Sequence, residues 1–405
     1  LPKKIHLNLA IAIVSGLEKI LIEKQALRPC LNQLLKQNRK WGSRDRRLVG
    51  EGLLEIVRWQ RRYAEMGQLN PKVKDYYWSL LAVWLQTKEM ELPKTESITD
   101  INKPISNTTL NPKTTPRAIF QSIPDWIDDL GVKAFGEQFW QKEIQSQNNP
   151  APLTLRANSI KTNTEKLQNL LKKKYLINSS LVPDVPAALV LEKHQKLTHL
   201  DLYEKGFFEI QDLNSQKVAD FCLPKPGMFV IDACAGAGGK TLHLAALMQN
   251  RGRILALDPY QKKLEQLEIR LKRNGVRIAE IVKEHPPIVL SKHKSQADIV
   301  LIDAPCSSLG VLRRNPAIKW HLSPSRLQEL KTIQQEIIKQ YAPLVSNGGA
   351  LIYATCSVLP SENQQQMENF LKSDIGKTFH LEDEKSLFTH KSDGDGFYMA
   401  RLIKG

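Results

Sequence analysis

"MFVIDACAGAGGKTLHLAALM", residues 228–248, runs from a short apolar stretch through a glycine-rich turn into a helical pattern. The unit then repeats. "RILALD" reads as a second strand and "QKKLEQLEIRLKRNG" as a second helix, with Gly275 placed to end it. "ADIVLIDAP" and "ALIYATC" are two further buried strands, separated by the helix "RLQELKTIQQEIIKQYAPLV". Strands alternating with helices predict an α/β fold, a parallel sheet covered on both faces with its ligands at the carboxyl ends of the strands.

The turn at the first of those ends stops one residue short of a phosphate-cradling loop. Gly239, Lys240 and Thr241 supply the end of that motif, but Cys234 stands where its leading glycine belongs. Gly236, Gly238 and Gly239 allow a tight turn and close approach of a ligand. Asp258 closes the second strand, where a carboxylate accepts the ribose hydroxyls of a nucleoside. Asp232 would repel a pyrophosphate and suits a cationic ligand such as S-adenosylmethionine. Its other reading is a cap beneath the loop, and a dinucleotide stays open at this point.

"DAPCSSLG" and "ATCSVLPSEN" place Cys306 and Cys356 at the carboxyl ends of two different strands, the first close after Asp303. Ser361 with Gln364 reads as a helix capping box that pins the second loop. Thiols there suit chemistry on cytosine. Its carbon 5 is too weak a nucleophile to take a methyl group unaided, and addition of a thiolate at carbon 6 activates it. An acid such as Asp303 can hydrogen-bond ring nitrogen 3 as charge builds there.

Upstream the pattern differs. Residues 118–225 read as a helix followed by a small α/β unit, with strands in "PLTLRANS", "AALVLEK" and "GFFEIQ". Residues 94–117 are rich in Thr, Asn, Ser and Pro and read as a linker. From His6 to about Leu92 the apolar residues Leu9, Ile13, Leu17, Ile20, Leu53 and Ile56 recur at helical steps. Ser43 is placed as a helix N-cap, and Arg44, Arg46, Arg47, Arg58, Arg61 and Arg62 are candidates for one basic surface.

Net charge agrees with a polyanionic partner: 58 Lys+Arg against 42 Asp+Glu give +16. Five scattered cysteines argue against a disulfide framework or a Cys-rich zinc site and suit a reducing cytosol. No apolar run reaches membrane-spanning length.

Five motifs in fixed order, "DACAGAGGKT", "ALDPYQ", "VLIDAPCSSLGVLRRNPAIKW", "GGALIYATCSVLPSEN" and "DGDGFYMARLI", closely resemble the RNA cytosine-5 methyltransferases of the RsmB (Sun) type. The likeness extends upstream through "LRANSIKT" and "GFFEIQDLNSQ", and "SRDRRLVGEGLLEIVRW" looks like that family's NusB-like helical domain.

The resemblance implies a Rossmann-like methyltransferase domain over 226–405, a helix plus RRM-like α/β unit over 118–225, and an all-α NusB-like domain over 1–93. It implies S-adenosylmethionine as cofactor, held by Cys234, Ala235, Gly236, Ala237, Gly238, Gly239, Lys240, Asp258 and Asp303. Cys356 is then the nucleophile, and Cys306 assists release of the methylated base. DNA cytosine methyltransferases use a Pro-Cys cysteine instead, so this assignment rests on family membership rather than on spacing.

The implied partner is RNA, ribosomal RNA or a small-subunit assembly intermediate, met by a cytoplasmic monomer without a metal. A tRNA or other RNA target is the rival within the class, and an RNA-binding ribosome assembly factor the rival outside it. The chain departs from the family at "VKEHPP", where Glu284 and His285 stand near the place of an adenine-contacting Asp, and at Ala317, where an acidic residue is common.

Overall fold

In a computed structural model of the protein, residues 3–93, 109–282 and 291–405 are described. Glu284, His285 and the linker residues 94–108 lie outside them. Residues 109–116 carry neither helix nor strand. By packing, the chain divides into Leu1–Asn149 with Leu312–Pro324, and Pro150–Val311 with Ser325–Gly405.

The first unit is helical. Four helices, Leu7–Leu21, Leu27–Gln37, Ser43–Met66 and Tyr76–Gln86, bury Leu9, Ile13, Leu17, Val49, Leu53, Ile56, Leu80 and Trp84 in one core. Short parallel strands β1 (Lys3–Lys4) and β2 (Met90–Glu91) tie its ends together. Ser43 is the first helical residue and not the cap. Gly42 occupies the cap position, and no side chain bonds the free amides there.

The helices Asp125–Phe135 and Glu137–Asn148 pack with this unit. Arg61 ties the helix Ser43–Met66 to the start of this pair. Its backbone N–H donates to Ser122 Oγ at 2.9 Å, and its guanidinium to Ile123 O at 2.6 Å and Asp125 Oδ1 at 2.8 Å.

The long helix Ser43–Met66 kinks at Trp59, where φ is −113° and ψ is 24°. Its cause is local. Trp320 Nε1 donates to Val57 O and Lys319 Nζ to Arg58 O, each at 2.7 Å, while the amide of Arg61 turns to Ser122. Side chains inserted into the i→i−4 ladder open it, and an opened ladder bends. Arg58 is itself buried and donates to Arg313 O at 2.9 Å. Arg62 lies over the rings of Trp59 and Phe120. The expected six-arginine surface therefore loses Arg58, Arg61 and Arg62 to internal packing; Arg46 is half-buried with its Nε donating to Trp41 O at 3.0 Å, and Arg44 and Arg47 remain exposed.

The second unit holds two sheets. In the smaller, β3 (Leu153–Ala157), β4 (Ser179–Leu181), β5 (Ala188–Leu191) and β6 (Phe208–Ile210) lie in the order β4-β5-β3-β6, all antiparallel. The helix Thr164–Tyr175 packs on it, capped by the Asn163 side chain bonding the Lys166 amide. β4 was not legible in advance, because "SSL" has no apolar alternation.

The larger sheet comprises β7 (Phe229–Asp232), β8 (Arg253–Ala256), β9 (Ala279–Ile281), β10 (Ala297–Asp303), β11 (Val345–Thr355), β12 (Phe379–Leu387) and β13 (Phe397–Lys404). Their order is β12-β13-β11-β10-β7-β8-β9. β7 to β11 run parallel, as the strand–helix alternation predicts. β13 is antiparallel to both β11 and β12, which corrects the expectation of a wholly parallel sheet. A short connection between β12 and β13 permits only a hairpin, and a parallel neighbour would need a long crossover. Gly275, at φ 74°, ends the helix Gln261–Asn274 as expected. Among the described residues no helix is long and apolar enough to cross a membrane.

Candidate active site

The strand ends of β7, β8, β10 and β11 converge, and the predicted residues sit on them. After β7 the chain turns through Ala233–Gly238 into the helix Gly239–Leu247. Gly238 is irreplaceable in that turn: its φ is +87°, and a Cβ would stand 2.1 Å from Leu267 Cδ1. Gly236 and Gly239 line open space instead, with no atom nearer than 4.0 Å to a built Cβ. That leaves a cradle of bare backbone for a ligand.

Asp258, at the end of β8, first braces the loop. Its Oδ2 accepts the Gly236 amide and its Oδ1 the Tyr260 amide, both at 2.9 Å. Each oxygen keeps a second lone pair for a ligand hydroxyl.

Asp232 lies beneath the loop, fully buried, and accepts Thr241 Oγ1 at 2.7 Å. Burial pushes its carboxyl up to about 7. The capping reading of Asp232 is the one this position favours. Cys234 packs on the strand side, and burial, with Asp232 beside it, pushes its thiol up.

Two guanidiniums hold the cradle from outside. Arg270 donates to Ala237 O at 2.6 Å and Arg156 to Gly239 O at 2.7 Å. Arg270 also pairs with the buried Glu209 of β6 at 2.8 Å, and Arg273 and Asn274 bond the same carboxylate. The small antiparallel sheet, through Arg156 and Glu209, thus fixes two carbonyls of the loop. Sequence reasoning missed these residues because their partners are remote in the chain.

Lys240 turns to Asp303 at the end of β10, with Nζ 2.6 Å from Oδ2, and lies over the Phe397 ring. Burial opposes its charge, but the Asp303 carboxylate outweighs that and raises its affinity for the proton.

β10 and β11 are neighbours, with Asp303 in register with Ala354. Cys306 and Cys356 therefore meet just past the two strand ends, Sγ to Sγ at 3.3 Å. Cys356 also contacts Ser308 Oγ at 3.4 Å. The hydrogen bond from Cys306 is the main cause of a lowered Cys356 thiol, with Ser308 and Lys240 acting in the same sense. The same bond, and then burial, drive the Cys306 thiol well above its ordinary value.

One carboxylate that the sequence reading passed over binds these loops together. Glu362 is fully buried and accepts the Ser307 amide at 2.8 Å, the Ser307 hydroxyl, the Ser357 hydroxyl at 2.5 Å and Gln334 Nε2 at 3.0 Å. The expected Ser361–Gln364 capping box is absent. Pro360–Glu362 is a 3-10 turn, Asn363 takes the cap position, and no side chain caps the helix Gln364–Leu371.

With this geometry in place, residues 221–403 match the family described as 16S rRNA methyltransferase RsmB/F. Residues 123–198 match the ferredoxin-like domain of RsmF/B-like methyltransferases. A Synechocystis sp. protein described as "Probable ribosomal RNA small subunit methyltransferase B" is 32% identical over 305 residues, 70% of this chain and 67% of that protein. Among solved structures, PH0851 superposes with a TM-score of 0.81 at 23% identity, covering 100% of both chains. NSun6 from Pyrococcus horikoshii with SFG superposes with a TM-score of 0.64 at 22% identity, covering 69% of this chain and 98% of the other. The two solved structures share the fold.

Proposed function

We propose, for a chain that belongs to the 16S rRNA methyltransferase RsmB/F family, that it methylates carbon 5 of a cytosine in small-subunit ribosomal RNA through a covalent adduct on Cys356. The observation that carries this is the sulfur pair: two thiols 3.3 Å apart at adjacent strand ends, with opposite proton affinities, above the Lys240–Asp303 ion pair.

S-adenosylmethionine supplies the methyl group as an electrophilic sulfonium. The bare backbone of Gly236 and Gly239 and the free lone pairs of Asp258 fit such a nucleoside. Cys234–Lys240, Asp258 and Asp303 are the residues that would hold it.

Cys356 is the thiolate of the resting pair and adds to carbon 6 of the cytosine. The Lys240–Asp303 pair holds a proton between them, and its passage to Asp303 lets that acid hydrogen-bond nitrogen 3 as charge arrives there. Carbon 5 then takes the methyl group. The new carbon–sulfur bond turns Cys356 into a neutral thioether, so the main influence holding a proton on Cys306 disappears. Cys306 loses that proton to solvent and accepts the one on carbon 5. Elimination expels Cys356 as a thiolate and restores the resting pair.

Ribosomal RNA as the target rests on the names of the family and of the Synechocystis relative. The setting we assign is the cytoplasm, where thiols stay reduced.

Replacing each cysteine tests the scheme. Cys306→Ala should methylate once and accumulate an RNA–protein complex that survives denaturing electrophoresis; Cys356→Ala should form none. The reverse pattern makes Cys306 the nucleophile. Mapping 5-methylcytosine in RNA from cells with and without the protein identifies the target, and a site outside small-subunit RNA would overturn that part.

A further inference from the structure

Two thiols in contact share one hydrogen bond, and something must decide which sulfur gives up its proton first. The groups facing the pair come from five elements. Lys240 stands on the helix Gly239–Leu247, Asp303 ends β10, Tyr353 lies on β11, Ser308 follows Cys306, and Glu362 sits in the turn Pro360–Glu362. Lys240 and Asp303 neutralise one another, and Tyr353 gives its hydroxyl to Glu362 O at 2.7 Å. Glu362 is thus the one unneutralised anion among them, and it lies against the Cys306 side.

We infer that Glu362 is a positioning residue that holds both cysteine loops together and keeps the resting charge on Cys356 rather than Cys306. The geometry is asymmetric. Glu362 grips the residue after Cys306 by both its amide and its hydroxyl, while after Cys356 it takes the hydroxyl alone. Gln334 clamps the arrangement, donating to Pro305 O and to Glu362 Oε1, each at 3.0 Å. An anion fixed beside Cys306 disfavours a thiolate there, so Cys306 stays the donor. The same repulsion makes Cys306 a stronger base once Cys356 is covalently engaged.

This inference rests on Cys356 being the attacking thiolate, and the test separates the two ideas. The ligand-free protein is alkylated with iodoacetamide across a pH series, and each cysteine is quantified by peptide mass spectrometry. In the unmodified sequence Cys356 should react at lower pH than Cys306. Glu362→Gln keeps the size and one oxygen to accept from the Ser307 amide and Gln334, turns the other position into a donor toward the two serine hydroxyls, and removes the charge. It should lower the Cys306 midpoint by about one pH unit or more, closing the gap. An unchanged gap in a folded Gln variant overturns the role of Glu362 and leaves Cys356 as nucleophile. Cys306 reacting first in the unmodified sequence overturns both. If the Gln variant does not fold, Glu362→Asp carries the test. Its carboxylate retreats by one methylene, so the gap should narrow without closing, and a gap as wide as before counts against the inference.

Discussion

The ammonium of Lys240 and the carboxylate of Asp303 lie 2.6 Å apart, the first on the helix that follows the cradle and the second at the end of β10. The pair joins the glycine-rich turn to the cysteine side of the site. Asp303 disfavours the Cys356 thiolate and Lys240 favours it, so the two act in opposite senses at that sulfur.

From that balance follows a separation of functions. Asp303→Asn removes the acid aimed at the ring but also a charge that opposes the Cys356 thiolate. Methylation should fall by about 10²–10⁴-fold, while alkylation of Cys356 proceeds at least as fast as before. Slower alkylation in a folded variant would show that Asp303 activates the thiol and does not serve the base.

Asp258→Ala removes the brace on the Gly236 and Tyr260 amides and, with it, the carboxylate we propose as the acceptor for ribose hydroxyls. S-adenosylmethionine affinity measured by calorimetry should weaken by about 1.5–3 kcal/mol. Reactivity of Cys356 toward iodoacetamide should not change. Unaltered cofactor affinity would assign Asp258 to loop structure alone.

The arginines divide by burial. Arg44 and Arg47 are exposed, the latter with 80% of its side chain accessible and paired with Glu51. Neutralising both should weaken RNA binding and flatten its salt dependence by about 0.7–0.9 log–log units for each phosphate left unneutralised. Arg58→Ala should act on stability instead, costing more than about 1 kcal/mol because it removes a buried side chain and its bond to Arg313 O from the interior. An RNA salt slope that survives removal of the Arg44 and Arg47 charges would place the RNA-binding surface elsewhere.

The parallel strands and both cysteines were legible because each is announced locally. "FVID", "RILA" and "ALIYAT" are apolar runs of strand length, and Cys306 and Cys356 stand just past the ends of two of the strands. Glu362 was not legible. Within "LPSEN" it reads as a polar residue of a helix start, and its donors come from positions 307, 334 and 357. Arg58 misled in the same way, since an arginine in a basic run reads as surface until a remote carbonyl takes it inside. Tertiary partners decided these positions, and nothing in the neighbouring residues reports them.

Biosynthesis sets a schedule for the bend in the helix Ser43–Met66. Its carbonyls at Val57 and Arg58 wait for Trp320 and Lys319, which follow 263 and 261 positions later in the chain. At 5–20 residues per second that wait lasts roughly 13–50 s. Meanwhile every strand from β3 to β10 leaves the ribosome. The portion of the protein made first is therefore finished by a segment made after most of the larger sheet, and a nascent chain halted before Leu312 lacks two of the three contacts that open that helix.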